Sequence, residues 1–239
     1  MDEKIEQLSR LLKESKYTVV FTGAGMSTES NLPDFRSAQG LWSKFDPYKL
    51  ATTEAMRNNR EEFKEFYSLR MKDLLKTEPH QGHYLLADWE QKGVIQSIIT
   101  QNVDGFHQRA GSEKVAELHG TLRHSHCHRC GAIHSNEAFL SGDDQCNCGG
   151  LLRPSVVLFG ESLPDEELEM AQLETDRAEV FIVLGSSLQV SPANYYPSLA
   201  KRNGAKLVIV NMEETPLDGR ADLLIHHRKI GEVLKEVVI

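Results

Sequence analysis

The chain has little that would carry it into a membrane or onto a nucleic acid. It contains no run of about eighteen consecutive apolar residues, the length a spanning helix needs. Positive charge is in short supply: 27 Lys and Arg stand against 35 Asp and Glu, a formal net charge of −8 with a pI near 5.7. A nucleic-acid scaffold is usually basic, although a local basic groove is compatible with such a sum. The N-terminal stretch MDEKIEQLSRLLKESKY is charged throughout and lacks the apolar centre of a signal peptide. The expectation is a cytoplasmic protein with neither a membrane nor a nucleic acid as partner, and the lack of long extensions permits a monomer. Cysteine is sparse, with four in 239 residues. In a reducing compartment these are metal ligands or free thiols sooner than disulfides.

What is present is an alternation. Residues 3–15 place Ile5, Leu8, Leu11 and Leu12 at helical spacing. YTVVFTG (17–23), VIQSIIT (94–100), VFIVLG (180–185) and AKLVIVN (205–211) read as buried strands, each ending on a polar residue or glycine. Short apolar strands separated by helical segments predict an α/β fold, a parallel sheet with helices on both faces. In such sheets the ligand lies beyond the carboxyl ends of the strands. The segments TGAGMS, TQNVDGFH, GSSLQVSPAN and NMEETPLD should therefore converge on one crevice.

Two stretches break the alternation. Residues 43–78 are rich in Lys, Glu, Phe and Arg, and read as helical from about Thr53. Residues 123–152 hold all four cysteines and much Gly, Ser and Asn. Together they predict a small domain beside the main one, which takes residues 1–42, 79–122 and 153–239.

Cys127 and Cys130 form a C-x-x-C-G turn, and Cys146 and Cys148 follow as C-x-C-G-G. Four thiolates in two close pairs suit a tetrahedral Zn²⁺ with no open position, hence a structural ion. The second pair is one residue shorter than the commonest pattern, and Gly149 and Gly150 supply freedom for a tighter turn. His124, His126, His128 and His134 crowd the first pair, so a mixed site is the rival. The Cys₄ set is favoured because both pairs are complete without a histidine.

The stretch FTGAGMSTESNLPDFR (21–36) begins as a phosphate loop. Gly23 and Gly25 would let backbone approach a pyrophosphate, with Ser27 and nearby amides donating. Thr28 stands where a dinucleotide fingerprint has its third glycine, and Pro33-Asp34-Phe35-Arg36 replaces the expected helix. Gln101, Asn102 and Asp104 follow a strand, where polar side chains suit amide and ribose recognition or plain loop capping. His119, between apolar neighbours at the entry to the cysteine module, is a candidate general base. His83 falls on a predicted helix, and neither it nor His226 and His227 is assigned a role. RPSVVLFGESLP (153–164) reads as one more strand, or as an edge able to pair with an extended peptide.

In this order, GAGMSTESNLPDFR, TQNVDGFHQRAG, ELHG, the four cysteines, RPSVVLFGE, GSSLQVSPAN and VNMEETPLD resemble the sirtuin family of NAD-dependent protein lysine deacylases. The resemblance covers about residues 17–232. It implies a Rossmann-like NAD-binding domain, NAD as co-substrate, one structural Zn²⁺ on Cys127, Cys130, Cys146 and Cys148, and acetylated lysine in proteins as substrate. It implies NAD contacts from Gly23, Ala24, Gly25, Thr28, Phe35, Arg36, Gln101, Val103, Asp104 and His119, and from Ser186, Ser187, Asn211 and Ile230 on the adenosine side. His119 and Asn102 would be catalytic. The Pro-Asp-Phe-Arg tail would be part of a loop that closes over the nicotinamide ribose. Val157, Phe159, Gly160 and Glu161, facing Val190, would clamp the peptide as a strand. The implied chemistry is attack of the acyl oxygen on C1′ as nicotinamide leaves, then activation of a ribose hydroxyl by His119, ending in lysine and 2′-O-acetyl-ADP-ribose. Asn31-Leu32 departs from the family's Gly-Ile, and Ser186 replaces a threonine. Tyr67 and Arg70 resemble the carboxylate-binding pair of desuccinylating sirtuins, which makes an acidic-acyl specificity the alternative; a catalytically weak NAD sensor is another.

Overall fold

The computed structural model describes residues 2–239. Asp2 caps α1 (Glu3–Glu14) by accepting the Lys4 amide at 3.0 Å, and Ile5, Leu8 and Leu12 turn one face into the core. The TVVFT run forms β1 (Thr18–Thr22), buried at every position. A 3-10 helix, Ala24–Ser30, follows it. The helical stretch starts earlier than Thr53, because Asp46 accepts the Tyr48 amide and Pro47 occupies the first turn of α2 (Pro47–Leu50). The chain continues through α3 (Thr53–Asn58), α4 (Arg60–Leu74), α5 (Gln81–Gln91), β2 (Ser97–Thr100), α6 (Phe106–Ala110) and β3 (Val115–Glu117). Then come β4 (Gly120–Cys127), β5 (Ile133–His134), α7 (Asn136–Ser141), β6 (Leu152–Val156) and α8 (Asp165–Arg177). The last elements are β7 (Val180–Leu184), α9 (Tyr195–Arg202), β8 (Lys206–Asn211), β9 (Leu223–His226) and α10 (Ile230–Glu236).

Six strands build one parallel sheet in the order β3-β2-β1-β7-β8-β9. Alternate side chains feed two cores. Val20, Ile98, Ile182 and Val208 pack with α1, α5 and α10 on one face. Phe21, Ile99, Phe181 and Ile209 pack with α8 and α9 on the other. Burial on both faces is why these strands read as continuous apolar runs, each such side chain contributing about 1.5–3 kcal/mol. The chain winds outward from β1 in one direction and then from β7 in the other. The order therefore reverses between β1 and β7, the position that opens a ligand crevice at the strands' carboxyl ends.

Strand β2 begins at Ser97 and not at Val94. The amides of Val94 and Ile95 are taken by the Trp89 carbonyl, at 2.8 and 3.3 Å, to close the end of α5. A second, antiparallel sheet has the order β5-β4-β6. It reaches past the predicted 123–152 on both sides, since β4 starts at Gly120 and β6 ends at Val156. The 153–164 run thus supplies a strand to the small sheet before it bends away. A third core lies under this layer, with Phe63, Phe66 and Met71 of α4 against Phe139 of α7 and Val156. Arg60 ties α4 to the cysteine region, reaching Asp144 at 2.5 Å and the Leu152 carbonyl at 2.6 Å.

Candidate active site and metal site

The loops after β1 and β7 meet backbone to backbone. The Gly25 amide donates to the Gly185 carbonyl at 2.8 Å, and the Gly23 amide to the Leu184 carbonyl at 3.0 Å. A Cβ on Gly23 would stand 2.7 Å from the Gly185 oxygen, and one on Gly25 2.8 Å from the Gly185 Cα. Gly185 itself has φ +63, and a Cβ on it would stand 2.4 Å from the Met26 amide nitrogen. Phosphate approach explains only part of this glycine pattern; two loops crossing at the reversal point require it as well.

Beside this crossing lies a cavity of about 490 Å³. The β1 loop contributes Ala24, Gly25, Thr28, Phe35 and Arg36 to its wall, and the β2 loop contributes Gln101, Asn102 and Val103. His119 faces it from the start of β4, Ser186, Ser187 and Val190 from the β7 loop, Asn211 from the end of β8 and Ile230 from the start of α10. Val157, Phe159, Gly160 and Glu161 line the opposite side. The four strand-end loops thus converge as their positions required.

Two sequence candidates sit behind the wall. Gly23 is covered by Ser186, as its clash distances describe. The Asp104 carboxylate, 8% exposed, accepts the Ser27 hydroxyl at 2.7 Å and the Phe106 amide at 2.9 Å. Burial raises its pKa, against those two hydrogen bonds. Its place is to brace the loop: Ser27 also accepts from the Asn102 amide at 3.3 Å, and that same amide donates to the Gly23 carbonyl at 3.0 Å.

His119 has one ring nitrogen committed to the backbone. Its Nδ1 lies 3.0 Å from the Gln101 carbonyl oxygen, an atom that only accepts, so Nδ1 carries hydrogen and Nε2 keeps its lone pair. Burial lowers its pKa and the Arg36 charge lowers it further, against the Gln101 bond that raises it. The ring is therefore neutral near pH 7. Gln101 in turn takes the Ser186 hydroxyl at 2.7 Å, linking the two loops that flank the cavity.

On the far side, the Val157 amide donates to the His119 carbonyl at 2.9 Å and the Phe159 amide to Ala51 at 2.8 Å. Glu161 has its carboxylate occupied: Arg153, 2% exposed, reaches both oxygens at 2.5 and 2.8 Å, and the Leu158 amide adds 2.8 Å. Its carboxylate organises the 156–161 segment. Burial raises the Glu161 pKa, but the Arg153 and Leu158 bonds outweigh it and the net shift is downward.

Tyr67 and Arg70 both line the cavity, one turn apart on α4. Arg70 stacks over Phe35 at 5.1 Å and, among the described residues, makes no ion pair. Burial pushes the Tyr67 hydroxyl up to about 12, offset in part by Arg70. Trp42, Glu29, Arg228 and Lys229 also line the cavity and were not singled out from sequence. Trp42 had a legible signal, an aromatic just after the Pro-Asp-Phe-Arg stretch; it packs 5.2 Å from Phe35 and 5.9 Å from Phe66. Glu29 lies within the β1 loop beside Thr28, whereas Arg228 and Lys229 reach the site through a chain crossing no local pattern encodes. His83 lies on α5, fully buried, with both ring nitrogens unpartnered and its pKa driven down by burial.

Asn31 has φ +62 and caps the 3-10 helix after β1. Asparagine tolerates this left-handed conformation better than other non-glycine residues, which explains how it stands where glycine is usual.

The four cysteine sulfurs lie within 4.8 Å of one another, with Cys127 to Cys148 at 3.5 Å and Cys130 to Cys146 at 3.8 Å. A tetrahedral zinc with ~2.3 Å bonds needs edges of about 3.8 Å, so the set fits. A Cβ on Gly150 would come 2.6 Å from the Cys127 sulfur, so the C-x-C-G-G turn closes through that glycine. No histidine joins the cluster: His124 and His126 point their Nδ1 atoms at Ser155, at 2.8 and 3.1 Å.

A family model described as the Sir2 family matches residues 23–192. The chain is 60% identical over 227 residues to NAD-dependent protein deacetylase 1 of Geobacillus kaustophilus, covering 95% of this chain and 94% of that one. It is 55% identical to the NAD-dependent protein deacetylase of Oceanobacillus iheyensis, covering 95% and 96%. Among solved structures, a Sir2 protein with a p53 peptide and NAD⁺ superposes with a TM-score of 0.88 at 41% identity, covering 98% and 96%. Another, holding an inhibitor, 2′-O-acetyl-ADP-ribose and deacetylated p53 peptide, gives 0.87 at 40%, covering 97% and 96%. This chain belongs to the Sir2 family.

Proposed function

We propose that this chain is an NAD-dependent protein lysine deacetylase, moving the acetyl group of acetyl-lysine to ADP-ribose with release of nicotinamide. The observation that carries the reading is His119 on the cavity wall, its Nδ1 committed to the Gln101 carbonyl and its ring neutral, next to loops of the kind that hold a dinucleotide. NAD, when bound, supplies the sugar carbon that accepts the acyl oxygen. His119 takes the proton of a ribose hydroxyl through Nε2. Asn102 holds its loop through Gly23 and presents the rest of its amide to the ribose side. Ala24, Gly25, Thr28, Phe35 and Arg36 enclose the phosphates and the nicotinamide ribose. Ser186, Ser187, Asn211 and Ile230 hold the adenosine part.

An extended acetyl-lysine peptide lies between Val157–Gly160 and Val190, using main-chain pairing and so reading little sequence. Excluding water around the reacting sugar protects it from hydrolysis, the use for a closing 33–36 segment. A zinc ion on the four cysteines stabilises the small domain and takes no part in the reaction. The substrate is a lysine side chain of a protein.

A second specificity is favoured by one observation, the unpaired Arg70 beside Tyr67 on the cavity wall, a fit for the carboxylate of a succinyl or malonyl chain. Nicotinamide release with NAD and matched acetyl- and succinyl-lysine peptides separates the two. Acetyl-dependent release supports the deacetylase, and succinyl preference that vanishes in Arg70→Met supports the alternative. No release with either peptide, despite NAD binding, would leave only a sensor.

A further inference from the structure

We infer that His226 is a positioning residue for the adenosine side of the cofactor cavity, bridging the two ends of the loop that lines it. The inference rests on the NAD reading of that cavity. Strand β9 ends beside β8 with His226 opposite Asn211. The His226 Nδ1 lies 3.0 Å from the Asn211 carbonyl oxygen, and Nε2 lies 2.9 Å from Asp218 Oδ2. A carbonyl has no proton to give. Asp218 is an ionised carboxylate: burial raises its pKa, but hydrogen bonds from Thr215 and His226 bring it below the ordinary value. The ring thus faces an acceptor at each of its nitrogens.

That one ring closes a loop at both ends. Asp218 takes the Thr215 hydroxyl at 2.6 Å through its other oxygen, and the Asn211 amide donates to the Glu213 carbonyl at 2.8 Å. Asn211, Met212 and Glu213 in between line the cavity. Removing the ring frees both the Asn211 end and the Asp218 end.

Among the described residues, Asp218 is the charged side chain that His226 contacts. Leu223 and Ile225 face the core under α1, whereas Leu224, and so His226, face the other side, away from the charged residues of α1. On that side Lys201 of α9 is held by Asp222 at 2.5 Å. Glu213, Glu214 and Arg220 are the other charged groups of the loop and the 3-10 turn Asp218–Arg220. His227 stacks 6.0 Å away, and Arg228 is drawn to Asp2 and Glu236.

The test is calorimetric binding of ADP-ribose to the wild type, His226→Gln and Asp218→Asn, with KM for NAD and kcat measured alongside. The expected result is an affinity about tenfold weaker in His226→Gln, as loss of a hydrogen bond to a charged group predicts. KM for NAD rises in that variant by more than kcat falls. Asp218→Asn, which removes the charge but keeps an acceptor, shows a smaller loss in the same direction and carries the test should the glutamine variant not fold. Unchanged affinity in both variants, or a loss confined to kcat, would overturn the inference. A wild type that binds neither NAD nor ADP-ribose would instead sink the cofactor reading itself.

Discussion

The Nδ1 of His119 lies 3.0 Å from the carbonyl oxygen of Gln101, which assigns the ring's hydrogen to that side and leaves Nε2 basic. Gln101 directly follows β2, and His119 directly precedes β4 two residues past the end of β3, so the ends of two paired strands fix the tautomer. One hydrogen bond decides which nitrogen can accept a proton.

Replacing His119 with alanine should lower kcat by about 10²–10⁴-fold while ADP-ribose still binds. The pH dependence follows from the neutral ring. Because its pKa is lowered, chiefly by burial, activity is present above that value and falls as pH drops through it. Formation of deacetylated peptide measured from pH 5 to 8 should show an acid limb below the ordinary histidine range, near 6.5. A limb above pH 7 would contradict the assigned environment.

The metal site should hold one zinc per chain by elemental analysis. Gly150→Ala drives a methyl against the Cys127 sulfur and should weaken zinc retention against a chelator without touching the cavity. Cys148→Ser should lose the ion and lower Tm, since structural zinc binding is coupled to folding. Full zinc content in Gly150→Ala would mean the C-x-C turn can relax.

Gly185→Ala meets two penalties at once, a left-handed backbone and a contact of 2.4 Å with the Met26 amide nitrogen. The two loops at the reversal point must separate, at a cost of about 2–4 kcal/mol. Both Tm and NAD affinity should fall. A variant with wild-type NAD affinity would show that the loop crossing does not shape the site.

Breaking the Arg153–Glu161 pair exposes a buried charge to loss of its partner, and Glu161→Gln should cost about 3 kcal/mol or less, given the partial exposure of Glu161. The sign with pH is set by the lowered Glu161 pKa. Its stabilisation is full above the unfolded carboxylate value and is lost as pH falls through the folded one. KM for the acyl peptide should rise more than KM for NAD, since the pair organises 156–161. Equal rises would argue against a peptide-side role for that segment.

Much of the site was readable because parallel strands put their following loops at one edge. TGAGMS, TQNVDGFH, GSSLQVSPAN and NMEETPLD needed only a strand assignment to be brought together. Asp104 shows where this ends: a strand-end position brings a residue near the crevice but does not say whether it faces ligand or, as here, Ser27 and the Phe106 amide. Glu161 is a like case, its carboxylate claimed by an arginine eight residues away. The Arg228 and Lys229 contacts were invisible because they depend on how α10 docks against the β1 loop, where Glu29 accepts the Gly231 amide at 2.8 Å.

By itself the sequence determined the alternation of apolar strands and helices, the paired cysteines and the glycines that no other residue could replace. These are local demands, set by burial on two faces, by thiolate chemistry and by the space left for a Cβ. Only the tertiary structure decided which nitrogen of His119 is free, which carboxylates are spent on neighbours, and that Asn211, Asp218 and His226 form one unit. Those outcomes depend on hydrogen-bond partners far apart in the chain, and a side chain's available proton or lone pair is whatever its partners leave.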